Sequence, residues 1–172
     1  MTSPVRMGTF TASSSRRTLQ ASPHLVPVSY THLRRSGYEI LCLTISSRLS
    51  GTYANAVLAA KELGGSHIEV VDSLTTCSGL YLLIREARMR IRGGAKLSAV
   101  ARELNELRKR VRMCFSVDDM APLRRSGRLG NVRMSISTVL NIKPILELRD
   151  GAIVSSSLAR GRVEQTLSLI HI

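Results

Sequence analysis

Ser46, Ser47, Ser50, Gly51 and Thr52 crowd into one short segment, Ser46-Ser47-Arg48-Leu49-Ser50-Gly51-Thr52. Their hydroxyls can donate to a carboxylate or a phosphate, and a glycine lets the backbone approach a ligand closely. An apolar run from Ile40 to Ile45 leads into the segment, and a helical pattern starts near Tyr53. Backbone N–H groups converge at such a helix start, where the helix dipole favours negative charge. The chemistry these residues point to is anion capture. An ordinary N-cap built of helix-starting Ser and Thr is the alternative, and residue types alone leave both open. The sequence has no GxxxxGK[ST] run, so the loop is not a nucleotide P-loop.

A second cluster is Arg124, Arg125 and Arg128 around Ser126-Gly127, in the basic, glycine-punctuated stretch Leu123 to Gly130. Arginine presents a planar fork that suits carboxylate or phosphate. A surface turn with solvated arginines is the plainer reading. No catalytic set is expected. No histidine lies in a patterned loop, and the adjacent Asp118 and Asp119 point apart in an extended segment and read as turn formers. Cys42, Cys77 and Cys114 are odd in number and far apart, and no histidine stands at ligand spacing from them. Neither a disulfide framework nor a zinc site is expected, and a reducing cytosol fits. Cys42 and Cys114 sit in apolar runs and read as buried structural thiols.

The elements that must position these residues follow from periodicity. Residues 39–45 read as a strand buried on both faces. Tyr53, Ala56, Val57, Ala60 and Leu63 fall at helical spacing until Gly64-Gly65. Ile68 to Val71 is a second buried strand, so the unit is β-α-β and its strands should be parallel. A helix is expected from about Gly79 to Arg92. Another is expected from about Leu97 to Arg112, with an apolar stripe of Leu97, Val100, Ala101, Leu104, Leu107 and Val111. Met113 to Val117 reads as a strand, followed by a short helix, the basic loop, and a helix around Val132 to Leu140. Ile145 to Leu148 and Ala152 to Ser156 flank Asp150-Gly151, a strong two-residue hairpin signal. The shift from β-α-β to an antiparallel ribbon places a domain boundary near residue 112.

The chain carries a net charge of +13, and 44% of its 172 residues are hydrophobic with only 3% aromatic. The core must therefore be aliphatic. No apolar run reaches the roughly 18 residues a membrane span needs. Five arginines and no acid lie in residues 1–38. Charge of this kind is one signature of a nucleic-acid surface. Against it, the arginines spread over several helices and lack aromatic stacking partners. Residues 1–37 are rich in Ser, Thr, Pro and Arg and hold no steady period. Three readings stand for them: disorder, an organelle transit peptide, or non-native sequence. Pro27 to Leu33 and the tail Leu167 to Ile172 look like translated adapter.

The motifs, taken in order, resemble the DegV family of fatty-acid-binding proteins. The resemblance is carried by Leu41 to Ala60 (LCLTISSRLSGTYANAVLAA), IEVVDS at 68–73, GLYLLIREA at 79–87 and LRRSGRLG at 123–130. It continues through LNIKPILELRDGAIV at 140–154 and ARGR at 159–162, and spans about residues 38–166. It implies two α/β domains: 38–112 is part of the first, and 113–166, with the antiparallel hairpin, is part of the second. A long-chain fatty acid would lie in a tunnel between them. Its carboxylate would be held at the SSxLSGTY loop, here Ser46 to Tyr53, with Ser50 and the Gly51 amide as the grip. The family's LxxGGR loop is matched by Leu123 to Arg128, with Ser126 in place of its first glycine, and puts Arg125 and Arg128 near the head group. The family's TSQPS-type loop, its opening DS strand and its His- and Gly-rich C-terminal segment have no counterpart here.

In bacteria such proteins present the acyl carboxylate to a separate fatty acid kinase. The resemblance thus implies a cytoplasmic lipid carrier that is not itself an enzyme, with the fatty acid as ligand and no cofactor. Two rival expectations stand beside it. One is a basic nucleic-acid-binding module. The other is a truncated product whose sheet, lacking strands, leaves edges open and gives a poorly soluble or partly molten chain.

Overall fold

A computed structural model describes residues 25–64, 67–129 and 142–160. The chain divides into two compact units, Met1–Arg110 and Val111–Ile172.

Among the described residues, the first unit opens on a helix where no structure was expected. α1, Leu25–Arg35, lies within the segment read as disordered or non-native. Its Pro27 sits in the first turn, where the missing N–H has no partner to lose. Its Tyr30 is 3% exposed and packs with Ile40, Ala59, Ala60 and Ile68. Tertiary burial, not local period, makes this helix. Gly37, at φ 78°, turns the chain out of it.

β1 (Ile40–Thr44) and β2 (Ile68–Asp72) are parallel, in register from Ile40 against Ile68 to Thr44 against Asp72. α2 (Thr52–Glu62) connects them. Strand alternation sends Ile40, Cys42, Ile68 and Val70 to the face covered by α1 and α2. Leu41 and Val71 fill the opposite face and are buried. α3 (Cys77–Arg92) and α4 (Leu97–Leu107) pack on each other, and α4 lies on both strands. Leu97, Val100, Ala101 and Leu104 are buried, as the stripe requires. The helix does not run on to Arg112: Arg108–Arg110 tighten into a 3-10 turn, a common way for a helix to end without a glycine. Among the described residues β1 and β2 pair only with each other.

The second unit holds β3 (Met113–Ser116), α5 (Ala121–Ser126), β4 (Ile142–Arg149) and β5 (Ala152–Arg160). The sheet order is β3-β4-β5, antiparallel throughout. Asp150 (φ 49°) and Gly151 (φ 81°) both lie in the left-handed region, as a two-residue hairpin turn demands. Proline is unusual inside a central strand, yet Pro144 lies within β4, which starts earlier than expected. The pairing with β3 stops at Ser116 opposite Ile145, so Pro144 pairs on one side only, against Leu158. It occupies an edge position locally, where its missing N–H breaks no ladder. Leu123–Ser126, expected as loop, form the end of α5. The expected helix at 132–140, the tail from 167 and residues 1–24 lie outside the described residues.

Among the described residues no helix is long and apolar enough to cross a membrane.

Candidate functional site

The Ser/Gly/Thr segment leaves the C-terminal end of β1 and enters α2. Ser46 is fully buried and reverses the chain. Its N–H donates to the Thr75 carbonyl at 2.9 Å, and its own carbonyl accepts from Leu49 at 3.0 Å and Ser50 at 3.1 Å. Its Oγ accepts the Arg48 N–H at 3.2 Å. Ser46 therefore holds the turn rather than facing outward. Ser47 and Gly51 are exposed, while Ser50 and Thr52 are half-buried.

Ser50 Oγ lies 2.7 Å from Thr52 Oγ1 and accepts the Thr52 N–H at 3.3 Å. A hydroxyl pair owns two protons and uses one between its oxygens, so the other can be donated to a ligand. The first-turn N–H groups of Tyr53 and Ala54 have no acceptor within the helix. No acidic residue occupies that turn, so nothing in the helix itself answers its positive end. This arrangement can hold a small anion by neutral donors. Gly51 has φ −69° and open space where a Cβ would stand. The fold itself makes no use of its freedom.

The adjoining loop, whose Asp72-Ser73 belongs to the IEVVDS match, stood outside the candidate site residues. Asp72 ends β2, Ser73 and Thr75 follow it, and all three are buried. Asp72 Oδ1 accepts the N–H groups of Ser47 at 3.1 Å and Leu74 at 3.0 Å. Ser73 donates its N–H to the Thr44 carbonyl at 3.2 Å. Ser73 Oγ donates to the Thr75 carbonyl and accepts the Thr75 N–H. The signal was there: an Asp-Ser-x-Thr run after a strand is built for local side-chain to backbone bonds. Two loops that follow neighbouring parallel strands lie at the strands' carboxyl ends, the usual ligand edge of such sheets.

In the second unit, Arg124 and Arg125 lie in the last turn of α5, and Arg128 follows Gly127, whose φ of 67° ends the helix. All three side chains are exposed. Arg128 Nη1 donates to the Ser126 carbonyl. Elsewhere several basic groups are already paired: Arg90 with Glu86 and Glu103, Lys109 with Glu106, and Arg149 with Glu147. An open groove of about 690 Å³ along α4 is walled by charged groups such as Arg102, Glu103 and Glu106, and shares no residue with the serine loop.

Burial pushes Cys42 above the usual thiol range, and burial followed by Glu147 does the same for Cys114. Cys77 is exposed. At pH 8 a disulfide reagent is expected to label Cys77 at least about tenfold faster than Cys42, which stays protonated and covered. Raising the pH further should narrow the gap. Peptide mapping of the labelled protein over time gives the order. Among the described residues no group of three His, Cys, Asp or Glu is placed to hold a metal ion.

Set beside known proteins, residues 7–172 match the family model described as "Uncharacterised protein, DegV family". The chain belongs to the DegV family. A DegV domain-containing protein of Deinococcus radiodurans is 34% identical over 145 residues, covering 84% of this chain and 51% of that one. The solved structure of a DegV lipid binding protein from Thermotoga maritima is 30% identical, with a TM-score of 0.77. It shares 87% of this chain and 52% of its own. A solved DegV family protein of Thermus thermophilus, described by its fatty acid binding, is 33% identical with a TM-score of 0.74. It shares 87% of this chain and 55% of its own. The chain spans about half the length of the curated DegV relatives it matches. The DegV fold, with its parallel and antiparallel sheets, is therefore that of this chain.

Proposed function

We propose that this chain binds a long-chain fatty acid and holds its carboxylate at the Ser46–Thr52 loop. The observation that carries the reading is the Ser50–Thr52 hydroxyl pair, 2.7 Å apart, at the open head of α2. The Thermotoga and Thermus relatives, one described as lipid binding and the other by its fatty acid binding, support the ligand class. Ser50, Thr52 and the Gly51 amide are the groups assigned to the carboxylate. Ser47 stands exposed beside them, and the buried Ser46 shapes the turn. Arg125 and Arg128 are assigned to the head group on the family resemblance alone.

Neutral donors set the orientation of such a ligand, and the tail sets its affinity. At about 0.8 kcal/mol per buried CH₂, a long chain needs no tight ion pair to bind. A carboxylate held this way can be surrendered. The chain then acts as a cytoplasmic carrier that presents the acyl group to a partner fatty acid kinase, with phosphoryl chemistry left to that partner and no cofactor of its own.

Displacement of a fluorescent polyene fatty acid by palmitate tests the site. Wild type is expected to bind palmitate. Ser50→Ala should weaken it about tenfold, the worth of one hydrogen bond to a charged group. Equal affinity in the two proteins, or no acyl binding by wild type, overturns the reading.

A further inference from the structure

We infer that Asp72 is the positioning residue that gives this loop its preference for a carboxylate, an inference that rests on the fatty-acid reading above. Asp72 ends β2 directly opposite Thr44, the last residue of β1. Its side chain is buried, and a single oxygen, Oδ1, accepts one N–H from each of the two loops: Ser47 at 3.1 Å and Leu74 at 3.0 Å. The loops are also tied through backbone groups, Ser46 to Thr75 and Ser73 to Thr44. Any sequence could make those bonds. The Asp72 bridge depends on a residue type.

Asp72 is itself held from behind. Arg108, in the 3-10 turn after α4, reaches across and donates Nη1 to the Asp72 carbonyl. The end of β2 is thus clamped by a guanidinium from a distant part of the chain. Truncation of Asp72 leaves two half-buried N–H groups without their acceptor, and the turn that begins at Ser46 loses its anchor at Ser47. Ser50 Oγ, at the far end of that turn, is then no longer fixed. Asp72 does not touch the proposed ligand. It acts by fixing where the hydroxyl pair points. Glutamate would carry the oxygen one methylene further and would not reproduce the bridge, whereas asparagine offers a carbonyl oxygen in the same place.

A loop with fixed donors distinguishes palmitate from hexadecanol, whose tail is the same length. A loose loop binds both through the tail alone. The ratio of the two affinities therefore reads positioning, while a merely destabilised protein loses both ligands together. Asp72→Ala is expected to lower the palmitate-over-hexadecanol ratio about tenfold and leave hexadecanol affinity unchanged. Asp72→Asn should keep the wild-type ratio. Amide hydrogen exchange on ligand-free protein should show Ser47 and Leu74 protected in wild type and Asp72→Asn, and exposed in Asp72→Ala. An unchanged ratio in Asp72→Ala overturns the inference, as do unprotected Ser47 and Leu74 amides in wild type. Wild type that binds the two ligands equally sinks the fatty-acid reading instead, and the exchange rates then decide alone whether Asp72 ties the loops. If Asp72→Ala does not fold, Asp72→Asn and the wild-type exchange rates carry the same decision.

Discussion

Leu104→Ala is expected to lower the stability of the first unit by about 3 kcal/mol. Leu104 is fully buried in the α4 stripe that lies on β1 and β2, beside the fully buried Val100. Its removal costs the transfer of the lost methine and two methyl groups. It also leaves a cavity, because α4 is fixed along its length by Leu97, Val100 and Ala101 and cannot collapse inward. Leu82 on α3 is the matched control. It is 46% exposed, so Leu82→Ala should change stability by no more than about 0.5 kcal/mol. Urea unfolding followed by far-UV circular dichroism gives both values. A Leu104→Ala loss below about 1 kcal/mol would show that α4 does not form the core of this unit. The same titration answers the expectation of a partly molten chain, since a molten core would show no distinct cost at either position.

The α4 stripe was legible because an amphipathic helix writes its buried face at a period that no neighbour alters. The parallel β1-α2-β2 unit and the Asp150-Gly151 turn were legible for the same reason: strand runs, a glycine stop and a left-handed dipeptide are local signals. What escaped was decided by contacts distant in sequence. α1 forms because Tyr30 finds a cavity between Ile40, Ala59, Ala60 and Ile68. Nothing in the Ser-, Pro- and Arg-rich composition around it records that. Pro144 lies inside a strand because β3 happens to stop one position short of it. Arg108 leaves the helical pattern and reaches back to the end of β2.

The serine loop shows both sides of this division. Its place between strand and helix could be read from residue types. The separation of roles within it could not. Ser46 and Ser50 look equivalent in the sequence, yet one is sealed beneath the turn and the other stands at its mouth. The difference comes from the second loop, whose Thr75 carbonyl draws Ser46 inward while its Asp72 carboxyl holds the backbone N–H of the exposed Ser47. Leu41 to Ala60 carried the resemblance to the DegV family, but Asp72-Ser73, quoted in the same resemblance, carries the geometry.

Gly79→Ala is expected to destabilise the first unit by about 2 kcal/mol, although alanine is the better helix former by about 1 kcal/mol. Gly79 is buried in the first turn of α3, and an added Cβ would stand 2.2 Å from Thr75 Oγ1 and 3.0 Å from its Cγ2. Thr75 cannot simply swing away. It is 2% exposed, its N–H donates to Ser73 Oγ, and its carbonyl accepts from both Ser46 and Ser73. The displacement must therefore pass into the Ser46 turn, so palmitate affinity should fall along with stability. Thr75→Ala removes Oγ1 and Cγ2 and leaves only its Cβ, at 3.1 Å, at the cost of some buried packing. The double variant should be more stable than the sum of the single losses by at least about 1 kcal/mol, the sign of a shared contact. Urea unfolding of the four proteins closes that cycle. Strict additivity, or a Gly79→Ala protein more stable than wild type, would mean that α3 and the loop before it do not meet as described. The route by which Gly79 reaches the serine turn would then be lost.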